Sequence, residues 1–471
     1  MSMINESAIK TPGVYINEIP TLPPSVAQVS TAIPAFIGYT AKALDTDGTD
    51  LTLKPTKIYS LLEYEQFFGK AEDETTIDAA VEVTTSGGAV VSITANATIG
   101  TPSPHNMYYC MRLYFGNGGG PCYIVSVAPT AGNVADTDLQ AGLDALEAYD
   151  EPTLILFPEG QASSVSESDY YTLVGNAIDQ CAKLQDRFTL IDIYTQDTST
   201  DNTINDFRTA FGKTDNLNYG AAYYPNLKTT FDFQYDDSDV DVVITTDGVP
   251  AGAVKLDTLF AAQRAVYYAA QGAIKKISPT LPPTPAMAGI YAKVDGSRGV
   301  WKAPANISVS GVYEVTDFIT DAEQENMNVD VVAGKSVNAI RPFVGKGILV
   351  WGARTLDGNS NEWRYINVRR FFIMVEESCR KATGQFVFEP NDANTWVKVR
   401  AMIENYLTNL WRQGALAGAK PEHAFFVKVG LGQTMTAVDI LEGRLIVEIG
   451  MAAVRPAEFI ILRFMHKLQE S

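Results

Sequence analysis

The sequence predicts a mixed α/β fold, α/β passing into α+β, in which a large α/β domain with a β-rich insertion precedes a smaller helix-and-sheet C-terminal domain. Three observations carry this. Apolar strand-like runs alternate with helix-like stretches from residue 32 to about 276. Those runs are continuously apolar rather than alternating, the pattern of a parallel sheet covered on both faces. The charge also changes sign along the chain: residues 335–471 sum to +5 and residues 1–334 to −24. With 471 residues, 46% of them hydrophobic and 19% charged, the chain has ordinary globular composition and length for about three domains.

In chain order, residues 14–19 read as a short extended strand bracketed by Pro12-Gly13 and Pro20. Pro23 and Pro24 follow, so this is an arm on a stiff linker. Strands are expected at AFIGY (35–39), CYIVSV (122–127), TLILF (153–157) and FTLIDI (188–193), with helices around 138–148, 168–184 and 257–276. Residues 76–104, rich in Thr, Ser and Gly, and residues 231–250, with the acidic run DDSDVD from Asp236, interrupt the rhythm as two surface insertions. The acidic run reads as a solvated loop, with a calcium site as the alternative.

Residues 365–383 predict a helix with Val368, Phe371, Phe372, Val375 and Cys379 on one stripe and Glu376 and Glu377 on its outer side, each four residues ahead of a basic partner. A second helix, capped by Asn394 and ended by Gly414, carries the stripe Trp396, Val399, Ile403, Tyr406, Leu407 and Leu410. Its exposed side offers Lys398, Arg400 and Arg412. The chain closes on a strongly apolar strand, Phe459 to Phe464, which would be an aggregation hazard as an open edge and so requires a partner.

Several function classes are disfavoured. A net charge of −19 argues against a general nucleic-acid or anionic-membrane binder. The four cysteines form no CxxC pair and the three histidines stand apart, so neither a metal site nor a disulfide framework is expected. No basic, apolar secretory leader opens the chain and no stretch reads as a membrane span, so synthesis in the cytoplasm without a signal peptide is expected. The cluster GNGGGP at 116–121 leads into a strand rather than a helix, so it reads as a turn and not a phosphate cradle. Glu376 and Glu377 point about 100° apart and cannot face one substrate. No Gly-x-Ser-x-Gly elbow presents a nucleophile. Neither catalytic residues nor a cofactor are expected.

An ordered series of motifs then stands out: PGVY at 12–15, DGSRGVWKAPAN at 295–306, VWGARTL at 350–356, WRYINVRR at 363–370, FVFEPND at 386–392, LWRQGAL at 410–416 and AEFII at 457–461. In this series the chain resembles the tail sheath family of contractile phage tails and related contractile injection systems. The resemblance covers roughly residues 1–40 and 255–471. It implies an N-terminal arm at 1–24, an outer α/β domain at 25–357 with the two insertions, an inner tube-facing domain at 358–455 and a C-terminal arm at 456–471. It further implies that Val14, Tyr15 and Ile16 and Phe459, Ile460, Ile461 and Leu462 add as strands to a neighbour's sheet, linking hexameric rings into a helical homo-oligomer. Its partners would be other copies of itself, an inner tube protein met by Lys398, Arg400 and Arg412, and baseplate and terminal cap proteins. Neither nucleic acid nor direct membrane insertion is involved. The implied function is structural and mechanical, part of a virion or injection-system particle. The alternatives are an α/β enzyme of hydrolase type and a baseplate or capsid module.

Overall fold

The computed structural model describes residues 25–195, 200–330, 332 and 334–463. The chain divides into two compact units, one of Met1–Val29 with Val375–Val454 and one of Ser30–Met374 with Arg455–Ser471. The two units part at 374/375, inside the helix Ile366–Thr383. The reason is packing: Ile366 and Ile373 join the core cluster of the large unit, and Arg370 is bonded to Asp295 there.

The large unit is built on a sheet that has nine strands among the described residues. Its centre runs Cys122–Pro129, Pro34–Thr40, Leu154–Leu156, Phe188–Asp192, Gly220–Tyr224 and Val337–Phe343, every neighbouring pair parallel. Antiparallel strands close both sides, Thr56–Ile58 at one and Gly347–Val350 with Ile307–Ser308 at the other. All residues of Pro34–Thr40, Phe188–Asp192 and Gly220–Tyr224 are buried, as continuous apolar runs between helical layers require. The expected helices at 138–148 and 168–184 are Asp136–Leu146 and Glu167–Leu184. The second is capped by Ser166, whose side chain accepts from the Asp169 amide. The stretch at 257–276 is two helices, Leu256–Ala262 and Arg264–Ile274, broken at Gln263, whose φ of −145° is not helical. The helix Thr284–Arg298 packs against Met107–Gly116 through Gly289. A Cβ there would stand 2.5 Å from the Tyr114 carbonyl oxygen.

The two insertions, read separately in the sequence, form one sheet. Ile77–Ser86 pairs with Ala89–Ile99 as a long antiparallel hairpin and, on its other edge, with Asp241–Thr246 in parallel. Ile77–Ser86 alternates buried and exposed residues along most of its length, and the helix Arg264–Ile274 packs on the hairpin. The acidic run is held by local bonds: Asp236 accepts from Ser238, Asp237 from the Tyr267 hydroxyl, and Asp241 pairs with Lys255. The glycine cluster is the expected turn, closed by the Tyr114 hydroxyl, which bonds both the Gly120 carbonyl and its amide.

In the small unit the helix Ala393–Arg412 takes its cap from Asp392, not Asn394: the Asp392 carboxylate accepts from the Thr395 amide at 3.0 Å. Gly414, at φ +82°, follows its end. Val399, Ile403, Tyr406, Leu407 and Leu410 are buried as their spacing predicts. Glu377 departs from expectation. It is buried, and its carboxylate holds Arg380 and Lys381 together, so only Glu376 lies on the outer side. A two-stranded antiparallel ribbon, Phe425–Val429 with Val447–Met451, packs on the helix Ala393–Arg412.

Candidate inter-subunit interface

The C-terminal segment of the large unit enters at Arg455 and is fixed at Glu458. The Glu458 carboxylate accepts from Arg354 Nε at 2.9 Å and Nη2 at 2.6 Å, from Asn328 Nδ2 at 3.0 Å and from the Tyr365 hydroxyl at 3.3 Å. Burial pushes this carboxyl up, but the bonds from Arg354 and Asn328 outweigh it and leave it below the usual range. Beside it lies a cavity of about 740 Å³ whose walls include Trp351, Ala303, Tyr365, Pro456 and Ile460.

Immediately beyond Glu458 the chain turns apolar and exposed. Phe459, Ile460, Ile461 and Leu462 are 71%, 78%, 78% and 71% exposed. They pair with no strand of their own chain among the described residues, so of the strand expected at 459–464 the described part, 459–463, forms none there, and Phe464 lies outside the described residues. An extended chain points alternate side chains to opposite sides, so four consecutive apolar residues present apolar surface on both. Val14, Tyr15 and Ile16 lie outside the described residues.

The ribbon of the small unit has a complementary lack. Neither of its two strands pairs with a further strand of the sheet among the described residues, and a two-stranded ribbon is marginal by itself. Val427 and Val429 are buried on one face, whereas Phe426, Lys428 and Glu448 are exposed on the other. Phe426 covers Gly450 opposite it, where a Cβ would stand 2.2 Å from the ring, and the Lys428 ammonium lies 4.8 Å from the ring centroid.

The three basic residues of the helix Ala393–Arg412 do not share a face. Lys398 and Arg412 are exposed and, at about 100° per residue, lie about 40° apart around the axis. Arg400 lies about 200° from Lys398, is half-buried and donates to Gln433 Oε1 at 3.0 Å.

Doubly wound sheets bind ligands at the carboxyl ends of their strands where the strand order reverses, here between Pro34–Thr40 and Leu154–Leu156. That position holds the chain's own carboxylate. Glu159 accepts from the Tyr39 amide at 2.6 Å and the Met107 amide at 3.4 Å, and a Cβ on Gly38 would stand 2.7 Å from Glu159 Oε2. Burial pushes the Glu159 carboxyl up to about 8. His105 Nδ1 is 3.8 Å away, and burial lowers the imidazole's pKa. His423 sits in the short helix Pro421–Ala424. Among the described residues no cluster of His, Cys, Asp or Glu is arranged to hold a metal ion, and no helix is long and apolar enough to cross a membrane.

Sequence reasoning did not single out Arg354, Glu458, Asp295 and Arg370. The signal lay in the motifs: Arg354 stands in VWGARTL, Glu458 in AEFII, Asp295 in DGSRG and Arg370 in WRYINVRR.

Residues 359–466 match the phage tail sheath C-terminal domain family. The tail sheath protein of Vibrio phage KVP40 is 26% identical over 130 residues, 28% of this chain and 19% of that protein. The tail sheath protein of Burkholderia phage BcepMu is 28% identical over 138 residues, 28% of each chain. The chain thus spans between about a fifth and somewhat over a quarter of the length of these curated relatives. Solved structures match end to end. The sheath complex of the extracellular contractile injection system PVC, in its contracted state, is 31% identical with a TM-score of 0.65, covering 98% of both chains. The contracted helical sheath of the anti-feeding prophage is 32% identical with a TM-score of 0.64, covering 98% of this chain and all of the other. With motifs, fold and near-complete alignment in agreement, the chain belongs to the tail sheath family of contractile phage tails and contractile injection systems.

Proposed function

We propose that the protein is the structural subunit of a contractile sheath, polymerising helically around an inner tube and contracting to drive that tube through a target envelope. The observation that carries this reading is the exposed quartet Phe459, Ile460, Ile461 and Leu462, which pairs with no strand of its own chain among the described residues, together with an edge-bearing ribbon in the small unit. A strand added from another copy satisfies both, through backbone hydrogen bonds that give affinity and apolar side chains that give register. Contacts that run head to tail without closing generate an open helix, here of stacked hexameric rings. The N-terminal arm with Val14, Tyr15 and Ile16 supplies the second linking strand.

The stroke needs no catalytic chemistry. An extended assembly held behind a kinetic barrier converts to a shorter, wider one with more contacts between subunits, and the free energy released moves the tube. Strand pairing between copies persists while the domains reorient. Lys398 and Arg412 form the basic surface offered to an acidic tube, with Arg400 supporting from the far side through Gln433. Baseplate and cap proteins terminate the polymer, which is assembled from subunits made in the cytoplasm.

Negative-stain electron microscopy of the purified chain tests this. Hollow striated cylinders are expected, and deletion of residues 1–20 should leave a folded subunit that forms none. Uniform small particles that turn over an ester or peptide would overturn it in favour of an enzyme. Discs or shells would favour a baseplate or capsid module.

A further inference from the structure

The chain passes between its two compact units at 29/30, 374/375 and 454/455. Each passing segment is caught by a charge cluster just inside the large unit. Near the first two passages, the Thr31 carbonyl accepts from Arg370 Nη2 at 2.8 Å and the Thr31 hydroxyl donates to Asp295 Oδ2 at 2.6 Å. Arg370 grips Asp295 with both terminal nitrogens, at 2.5 and 3.2 Å, and stands 4.4 Å from the Tyr291 ring centroid. These two side chains are 3% and 7% exposed. At the third passage Arg354 grips Glu458 with Nε and Nη2, and a third nitrogen, Nη1, donates to the Asn328 carbonyl at 3.0 Å.

Buried ion pairs of this kind contribute little net stability over apolar residues of the same shape, because desolvation offsets their attraction. What they supply is a fixed position, since bidentate guanidinium–carboxylate bonds are strong and directional. Residues 456–463 have no strand pairing to their own unit among the described residues. Tension on Phe459 to Leu462 would therefore peel this segment away contact by contact, unless one residue holds it by several charge-assisted bonds at once. Glu458 does so directly next to the apolar quartet.

We propose that Arg354–Glu458 and Asp295–Arg370–Thr31 are anchors that fix the large-unit ends of the connecting segments, so that pull along an exchanged strand reaches the body of the subunit instead of unpeeling its terminus. The proposal rests on the sheath reading for the origin of the pull. The anchoring itself is a property of the single chain and is tested there.

The full-length chain carrying Glu458→Gln is compared with wild type, with the charge-swapped double variant Arg354→Glu/Glu458→Arg as a rescue. In the unassembled subunit, chymotryptic cleavage after Phe459 should quicken roughly tenfold in the single variant, as loss of charge-assisted bonds of this strength implies. The thermal midpoint should stay within a few degrees. Assembled cylinders of the variant should shear into short pieces under flow that leaves wild type intact, and the swap should restore length. An unchanged cleavage rate overturns the anchor whether or not cylinders form. Variant cylinders as shear-resistant as wild type overturn its mechanical role. Wild type forming no cylinders would refute the sheath reading alone, leaving cleavage to decide the anchor.

Discussion

Replacing the C-terminal apolar quartet by pairs separates folding from assembly. Ile460 and Leu462 lie on one side of an extended chain and Phe459 and Ile461 on the other, so Ile460→Ser/Leu462→Ser and Phe459→Ser/Ile461→Ser each strip one side. All four are more than two-thirds exposed in the subunit, so neither pair should alter subunit stability beyond about 0.5 kcal/mol per site. On strand addition, a fully buried apolar side chain of this size contributes about 1.5–3 kcal/mol. Allowing for the part already buried and the part Ser retains, each pair forfeits roughly 2–4 kcal/mol of association, a factor of ~30 to ~1,000 in affinity. The threshold concentration for polymerisation, measured by sedimentation with microscopy of the pellet, should rise by that factor in both variants. A threshold unchanged in either would mean that side of the strand stays in water. A fall of many degrees in the subunit's thermal midpoint would mean the quartet packs on its own chain.

The remaining predictions concern the tube face, the stability profile and the helix crossing. Lys398→Glu/Arg412→Glu should abolish co-assembly with the tube while leaving sheath polymerisation intact, and Arg400→Glu alone should do less; co-sedimentation with tube protein reads this. The Glu159 and Asp192 carboxyls are pushed up by burial to about 8 and about 7, so between their unfolded pKa values near 4 and these folded values the native state holds protons that the unfolded chain releases. Stability therefore falls as pH rises through this window, by about 1.4 kcal/mol per pH unit for each group, and flattens above about pH 8. Urea midpoints measured from pH 5 to 8 should decline, and Glu159→Gln should make the decline shallower; parallel profiles would contradict the assignment. Gly289→Ala drives a Cβ into the Tyr114 carbonyl and should cost about 1–3 kcal/mol in chemical denaturation.

What the sequence disclosed and what it concealed divides by range. The parallel sheet was legible because continuous apolar runs have one stable environment, and the helices Ile366–Thr383 and Ala393–Arg412 were legible because their stripes repeat locally. The cap was misplaced by two residues because Asp392 and Asn394 are both chemically competent, and only backbone geometry selects between them. Glu377 looked exposed because its partners Arg380 and Lys381 are suitable for solvent too. The anchors were hidden for a different reason: Arg354 and Glu458 lie 104 residues apart, and Asp295 and Arg370 lie 75 apart, distances at which no periodicity operates. The basic trio was read as one surface because identity was noted without helical phase, and Arg400 falls on the other side.

The sheet shared by the two insertions ties together stretches more than 150 positions apart in the chain. Ile77–Ser86 lies between Ala89–Ile99 and Asp241–Thr246, so removing residues 231–250 alone would bare one of its edges, and removing residues 76–104 would leave Asp241–Thr246 without its longest partner. Neither stretch can be lost or traded singly without opening a sticky border. Grafting a new decoration onto this particle would have to treat the pair as a single cassette, cut at four places in the gene.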